Sequence, residues 1–470
     1  MPGTRRPGPR GIRETIRFYR DFADDAPGAL LRLRQRYGDV CFVGGRGAAG
    51  AVFLLGAAAN EFVFRNSGVL TWRGGYQSLL PVSGDTALLV SDGPGHDGRR
   101  AVTQPAFTGR RVEDYLSIMI RNVGELVAGW RVGQEIDVYR EFRSVIRGTV
   151  VEALFGTGLA ADSEPIGRDL QPALDVLNAS LPAQLLTWAV PSPRRRRARA
   201  GLARVDARIA AEVADRRHRT EPPDDLLSML LAANGAYGLD DRGLRDAVVS
   251  LVVASFDTTS AALAWAVHAA LSHDAVWSRI RAEVAEVVGA GPLTAAQARR
   301  LRYTRWVVDE TLRLHPPAVV GARGCTAELE FAGHRIPAGS TVVFSEYVAH
   351  TDPRVWSDPM RFRPQRWDRS DPAYDEVGTF DYIPFGAGPR RCIGSALATG
   401  ELVVTLAQLA RLFELRLCVP QARPAGMTAV YPRDGMSVRI VATHADSGAG
   451  AIPPDTENTR AIPPEQEKKR

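Results

Sequence analysis

Lysine is almost missing from this chain. Lys468 and Lys469 are the only two in 470 residues, and arginine carries nearly all the basic charge. Cysteine is scarce as well. Cys41, Cys325, Cys392 and Cys418 form no CxxC pair and no regular spacing, which argues against a disulfide framework and a structural zinc site. No apolar run follows the arginines and prolines of the first residues, so they read as neither a secretory signal nor a membrane anchor. A cytoplasmic protein with reduced thiols is expected.

Long hydrophobic runs are also missing, with one exception. From Ala247 to Leu271 only Asp257 carries a formal charge. A helix that is apolar all round either spans a membrane or threads a large core. A carboxylate at mid-helix is expensive in lipid, no second such run exists and no aromatic belt flanks it. A buried core helix is therefore expected.

The net charge of +6 invites a nucleic-acid reading. Residues 1–20 hold Arg5, Arg6, Arg10, Arg13, Arg17 and Arg20 against Glu14, and residues 447–470 are balanced. The body between them is close to neutral, so no nucleic-acid partner is expected. Three segments follow: a flexible basic arm over 1–20, one large domain over 21–446, and a disordered tail over 447–470. The tail repeats Ala-Ile-Pro-Pro at 451–454 and 461–464.

Helical patterns dominate. They predict helices over Pro27–Tyr37 and over about 94–106, 110–130, 139–155, 166–187 and 198–217, and a last one from Cys392 to about Leu412. β-rich runs sit at Asp39–Val43, Ala51–Leu55, Leu329–Ile336 and Thr341–Phe344. The fold class is mainly α with a small β part. The arginine run Arg194–Arg197 with Arg199 reads as a solvated loop leading into a helix.

The chemistry concentrates in Phe385-Gly-Ala-Gly-Pro-Arg-Arg-Cys-Ile-Gly394. It lacks the Gly-Lys-Ser/Thr ending of a phosphate loop. Instead a cysteine stands at the start of a helix beside Arg390 and Arg391, a setting that favours thiolate. Such a thiolate suits either a nucleophile or an axial metal ligand. None of the eight histidines forms a recognisable nucleophile signature with it. The ligand reading requires basic groups for an anionic cofactor and an oxygen-handling helix opposite.

Both occur, and the chain here resembles the haem-thiolate monooxygenases of the cytochrome P-450 superfamily. Phe385, Gly388, Arg390, Cys392 and Gly394 match the FxxGxRxCxG loop. Glu310-Thr-Leu-Arg313 matches the ExxR helix, and Phe362-Arg-Pro-Gln-Arg-Trp367 resembles FxPxRF with Trp for the last Phe. Gly95-His96 through Arg100 matches GHxxxR, and Asp257-Thr258-Thr259 resembles the acid–alcohol pair of the central helix. The order and spacing agree from about residue 27 to 441. The resemblance implies a single large haem-thiolate cytochrome fold of the soluble bacterial type, with a long central buried helix, acting as a monomer.

What the resemblance implies for single residues is specific. Cys392 would be the axial ligand of the iron of haem b, pushing electron density onto the metal. His96, Arg100, Arg323 and Arg390 would pair with the propionates. Phe385, Gly386, Ile393, Gly394, Ala398 and Ala254 would also contact the cofactor. Glu310, Arg313 and Arg366 would form a structural ion network behind it. Asp257 and Thr258 would deliver the protons that O2 reduction consumes, with Thr258 bonding back to Ala254 and bending the helix. The family's usual glycine is replaced by Ser255, whose hydroxyl is placed near substrate or oxygen. Leu80, Leu89, Val253, Ser255, Val319, Val320 and Met427, with Trp72 and Tyr76, would line an apolar substrate pocket. This implies a hydrophobic small molecule, as in bacterial secondary metabolism. No flavin or Fe–S domain fits in the remaining residues, so NAD(P)H electrons would arrive through a ferredoxin or flavodoxin with its reductase. Arg361, Arg363 and Arg391 would form a docking face. A peroxide-driven peroxygenase and a non-catalytic haem protein in a biosynthetic complex are the alternative readings.

Overall fold

The computed structural model describes residues 6–44, 50–179, 181–237, 239–426 and 429–444. Met427 and the tail at 447–470 lie outside the described residues. Helices form most of the chain and four small sheets hold the strands. The main helices are α1 (Gly11–Asp24), α2 (Ala26–Tyr37), α3 (Gly93–Thr103), α4 (Gly109–Ala128), α5 (Val138–Ala160), α6 (Ser163–Leu177), α7 (Leu181–Ala189), α8 (Pro193–His218), α9 (Asp241–Leu271), α10 (Arg302–Leu314) and α11 (Ser395–Leu412). The mainly α reading with a small β part is correct.

Helix α9 is the axis of the molecule. Its start is fixed by Asp240, whose carboxylate accepts the N–H of Gly243 at 2.8 Å. It is long and apolar enough to cross a membrane, but the structure buries it. Val248, Val249, Val252, Phe256, Leu263 and Val267 are all 2% exposed or less and pack in the largest core cluster. The neighbours are α5 on one side and α10 and α11 on another. Asp246, in its second turn, is buried, and the N–H and hydroxyl of Thr86 both donate to it.

The largest sheet has five strands: β1 (Val40–Gly44), β2 (Gly50–Leu55), β3 (Leu70–Thr71), β4 (Gly321–Cys325) and, after a hairpin, β7 (Thr341–Ser345). Their spatial order is β1-β2-β7-β4-β3, with β2 and β7 parallel and the other pairs antiparallel. The run Leu329–Ile336, read as one strand, is the hairpin of β5 (Leu329–Phe331) and β6 (His334–Ile336). Ala332 and Gly333 turn it with φ of 48° and 75°, as tight hairpins require.

Three further expectations change. The helix expected over 166–187 is two helices, α6 and α7. Pro182 in the first turn of α7 has no N–H to continue the ladder from α6. The arginine run at 194–199 is not a loop. Ser192 accepts the N–H of Arg195 at 3.1 Å and caps α8, so the run forms its first turns, with Ala198 buried. The expected flexible arm over 1–20 is helical from Gly11. Phe18 and Phe22 are spaced four apart and both enter the second core cluster with Leu30, Phe53 and Val319. The ring of Phe18 stands edge-on to Phe53 at 5.3 Å.

This placement has a measurable consequence. Phe18→Ala should lower unfolding stability by about 3 kcal/mol through loss of buried ring surface. Ile12→Ser, at a position 76% exposed on the same helix, should change it by no more than about 0.5 kcal/mol. Denaturant titration of both variants checks this. Equal, small effects would mean that the helix does not pack on the body.

Candidate functional site

The loop before α11 is shaped by two glycines. Gly386 and Gly388 have φ of 66° and 64°, in the left-handed region that side chains disfavour. They fold the loop back, so that the N–H of Cys392 donates to the carbonyl of Phe385 at 2.8 Å. Phe385 and Ile393 pack against the largest core cluster. Gly394 lies where a Cβ would meet only the ring of Phe107, at 3.8 Å, and Ala398 is half-buried one turn into α11.

Cys392 combines two properties that seldom coincide. The residue is exposed, yet burial pushes its thiol pKa up, against the N–H of Gly394 and the charges of Arg100 and Arg391. A residue with free surface and a desolvated thiol faces an enclosed space rather than bulk water. The basic neighbours do not on their own make a thiolate, contrary to the sequence argument, because burial outweighs them. Ala254 tells the same story from α9. It is exposed at the middle of a helix that is otherwise core, and Val253, Ser255 and Thr258 around it are half-buried.

Four basic residues gather beside this space. The guanidinium of Arg100 donates to the carbonyl of Arg391 at 2.8 Å. Arg390 pairs with Asp92 at 2.9 Å and donates to the carbonyl of Leu88. His96 is 1% exposed, with Nδ1 2.8 Å from Asp97. Burial pulls its pKa down, with Asp97 opposing, so the ring is neutral at pH 7. Arg323 is 2% exposed and has no ion pair within 4 Å among the described residues; it feels the buried Glu346 only at longer range, and burial pushes that carboxyl up to about 8, toward its neutral form. Its guanidinium donates to the carbonyl of Ala322 at 2.7 Å and lies 3.5 Å from the ring centroid of Trp72. Trp72 also flanks Arg390, at 5.6 Å. So Trp72 and Tyr76, expected in the substrate pocket, belong to the basic cluster instead. They stack on each other at 5.3 Å. They reach it because Gly75 lets the chain lie on β4, where a Cβ would stand 2.2 Å from the carbonyl oxygen of Ala322.

A buried cation without a carboxylate partner is costly. Arg323, with Arg390 beside it and Arg100, His96 and the desolvated thiol of Cys392 in the same cluster, therefore forms a donor set for an anionic group with a sulfur at hand. These residues fit a haem with its two carboxylates, held by Cys392 on the metal.

Behind the Cys loop lies the ion network. Glu310, Arg313 and Arg366 are each 1% exposed or less. Both Glu310 oxygens accept from Arg313 at 2.9 Å, and Arg366 Nε donates at 2.9 Å. The network is larger than expected. Asp375 pairs with Arg366, the N–H of Arg363 donates to Glu310 at 2.8 Å, and Trp367 Nε1 donates to it at 3.1 Å. The Trp that stands in for Phe thus supplies a hydrogen bond that Phe lacks.

On α9, Thr258 donates to the carbonyl of Ala254 at 2.8 Å as expected, but the helix stays unbroken through it. Ser255 is committed in the same way, to Val252 at 2.9 Å. Asp257 is 7% exposed and does not stand alone. Arg143 of α5 donates to its Oδ1 from Nε at 2.8 Å and from a terminal nitrogen at 2.5 Å. Arg143 also donates to Gln171 of α6 at 3.0 Å. Burial raises the Asp257 pKa and Arg143 opposes it. No sequence signal marked Arg143. Of the apolar candidates, Leu80, Leu89 and Val320 are half-buried. Val319 is more deeply buried. It is 5% exposed and packs in the second core cluster.

Removing Glu310 would strand the buried guanidinium of Arg313 and leave Arg366 with Asp375 alone, at a cost of about 3–5 kcal/mol. Glu310→Ala should therefore yield little haem-loaded protein. Trp367→Phe should load normally and lose about 1 kcal/mol in unfolding stability. The ratio of haem absorbance to protein absorbance after purification checks both.

Comparison with known proteins agrees with this geometry. The cytochrome P450 family model matches residues 18–431. The chain is 41% identical over 417 residues to the putative cytochrome P450 139 of Mycobacterium tuberculosis, covering 88% of this chain and 97% of that one. It is 32% identical over 337 residues to the cyclooctat-9-en-7-ol 5-monooxygenase of Streptomyces melanosporofaciens, covering 70% and 72%. It is 28% identical over 394 residues to the pentalenene oxygenase of Streptomyces avermitilis, covering 82% and 84%. Among solved structures, the retinoic-acid-bound cyanobacterial CYP120A1 superposes with a TM-score of 0.81 at 25% identity, covering 93% of this chain and 99% of that one. The chain belongs to the cytochrome P450 family and is a haem-iron monooxygenase.

Proposed function

We propose that this enzyme inserts oxygen from O2 into a hydrophobic small molecule of the terpenoid kind, with haem b held by Cys392 and electrons from a separate protein. The observation that carries the reading is Arg323, buried against Trp72 without a carboxylate partner, in one cluster with Arg390, Arg100 and His96 beside an exposed Cys392. The two Streptomyces relatives, named for oxidation of cyclooctat-9-en-7-ol and of pentalenene, support the substrate class. So does the apolar character of the half-buried Leu80, Leu89, Val253 and Val320.

When bound, a haem with a thiolate ligand supplies O2 activation, favouring cleavage of the O–O bond. The protein's part is to hold the group, exclude water and move protons. Cys392 holds the iron. Arg100, Arg323, Arg390 and His96 hold the carboxylates. Phe385, Gly386, Ile393, Gly394, Ala398 and Ala254 shape the two faces of the slot. Thr258 presents a hydroxyl at the exposed face of α9, and Asp257 one residue away takes protons from outside. Arg143 sets the Asp257 charge by opposing burial. Exposed Arg361 and Arg391 with Arg363 offer a basic surface to an acidic ferredoxin or flavodoxin, fed by a reductase from NAD(P)H.

The reduced carbonyl complex tests the ligand directly. The red-shifted Soret band of thiolate ligation is expected, and a histidine-like spectrum would refute it. Thr258→Ala should consume reductant while forming much less product. Full coupling in that variant would remove Thr258 from the proton path. Arg143→Gln removes a group that lowers the Asp257 pKa. Asp257 then stays protonated to higher pH, so the acid limb of turnover should move to higher pH. An unchanged pH profile would show that Asp257 does not relay protons.

A further inference from the structure

Two surface patches among the described residues each expose three large apolar side chains beside arginines. The first is on α1. Ile12 is 76% exposed, Ile16 60% and Tyr19 39%. At 100° per residue these three fall within about 60° of one another. They adjoin the strip through which Phe18 and Phe22 enter the core, so they are held facing outward on an anchored helix. On their other flank stand Arg13, Arg17 and Arg20, all exposed. Three acids share this helix, and Asp24, on the arginine side, is paired with Arg433 at 2.7 Å. Glu14 accepts the N–H of Arg10 at 2.6 Å and faces Arg36 at 3.5 Å. Asp21 takes a long contact from Arg20, at 3.7 Å. The second patch is Leu185, Leu186 and Val190, exposed by 67%, 63% and 46%, directly before the arginines that open α8.

We infer that α1 lies on the surface of an anionic bilayer, with Ile12, Ile16 and Tyr19 dipped among the lipid tails and Arg13, Arg17 and Arg20 against the phosphates. Among the described residues nothing covers this apolar strip, and contiguous exposed apolar patches mark contact sites. An arginine row along one border supplies the match to lipid phosphate, because arginine stems lie on apolar surface while the heads stay polar. At 14 residues, about 21 Å long, the helix is too short to span and lies flat. The patch on α7 has the same make-up and offers a second contact of the same kind.

Flotation of the haem-loaded full chain with phosphatidylglycerol vesicles, and with pure phosphatidylcholine vesicles, tests this. Binding is expected to the first, weakly or not at all to the second, and to fall at high salt. Ile12→Ser with Ile16→Ser should abolish most of it while the haem spectrum and thermal midpoint stay unchanged. Each of Arg13→Gln, Arg17→Gln and Arg20→Gln should weaken it about fivefold. Absence of binding, or equal binding by the Ile12/Ile16 double variant, would overturn the inference. So would a dimer in sedimentation that the double variant splits, since a second copy would then cover the strip. Loss of binding only in a Leu185→Ser/Leu186→Ser variant would move the contact away from α1 and overturn it as well.

Discussion

One carboxylate holds the proximal half of this protein in register. Glu310 is fully buried and receives donors from Arg313, Arg366, Arg363 and Trp367. Charge burial on this scale is tolerable only when every oxygen and nitrogen finds a partner. The consequence reaches the Cys loop through a short relay. Arg313 donates to the carbonyl of His350 at 2.8 Å. The Nε2 of His350 accepts the N–H of Ile383 at 2.9 Å, and Ile383 in turn accepts the N–H of Gly386 at 2.9 Å. Next comes Phe385, whose carbonyl takes the N–H of Cys392. His350 can accept because burial holds its pKa down to about 3, which keeps the ring neutral at any ordinary pH. The thiol is therefore positioned by a carboxylate in a helix eighty residues earlier in the chain.

The opposite demand operates on the basic side. There the protein buries cations without closing the account internally. Asp92 neutralises Arg390 and accepts the N–H groups of Trp72 and Arg73 at 3.0 and 2.9 Å. That fixes the indole, and the indole face meets the Arg323 guanidinium. A cation against an aromatic face recovers about 2 kcal/mol when desolvated, which is less than burial of an arginine costs. The remainder matches what carboxylates of a bound group supply. Local folding here and capture of an anionic cofactor are thus parts of one balance.

The sequence is most readable where chemistry dictates spacing. FxxGxRxCxG and ExxR stand out because a sulfur ligand and a buried ion pair admit few alternatives at fixed offsets. Cross-chain partners carry no such local mark. Arg143 meets Asp257 across 114 positions, and Asp92 meets Arg390 across 298. Composition also misled in places. Arginines and prolines at the start suggested disorder, yet Phe18 and Phe22 one turn apart were enough to seat α1. Trp367 looked like a blemish in a motif, but its N–H is a fourth donor to Glu310. Val319 and Val320 show the limit of apolar inventories. Val319 is buried in the second core cluster and Val320 packs on the same cluster while half-buried, and residue type alone does not say which one meets the pocket.

The central helix carries the sharpest conflict. To thread the core, α9 must be apolar on all sides, and Asp257 breaks that rule. Arg143 makes the exception tolerable by giving Asp257 Oδ1 two hydrogen bonds, while its own guanidinium rests 5.2 Å from the Phe256 ring. The other terminal nitrogen of Arg143 is tied to Gln171, so the charge on Asp257 depends on how α5, α6 and α9 pack together. Thr258 lies one residue away on the exposed side of the same helix. The protein thereby places a buried, externally tuned acid and an open hydroxyl next to each other without breaking the helix. An acid on the exposed face would titrate with the contents of the pocket. An acid behind it, balanced between burial that raises its pKa and a fixed cation that lowers it, is set by the packing of three helices rather than by what fills the space beside Thr258.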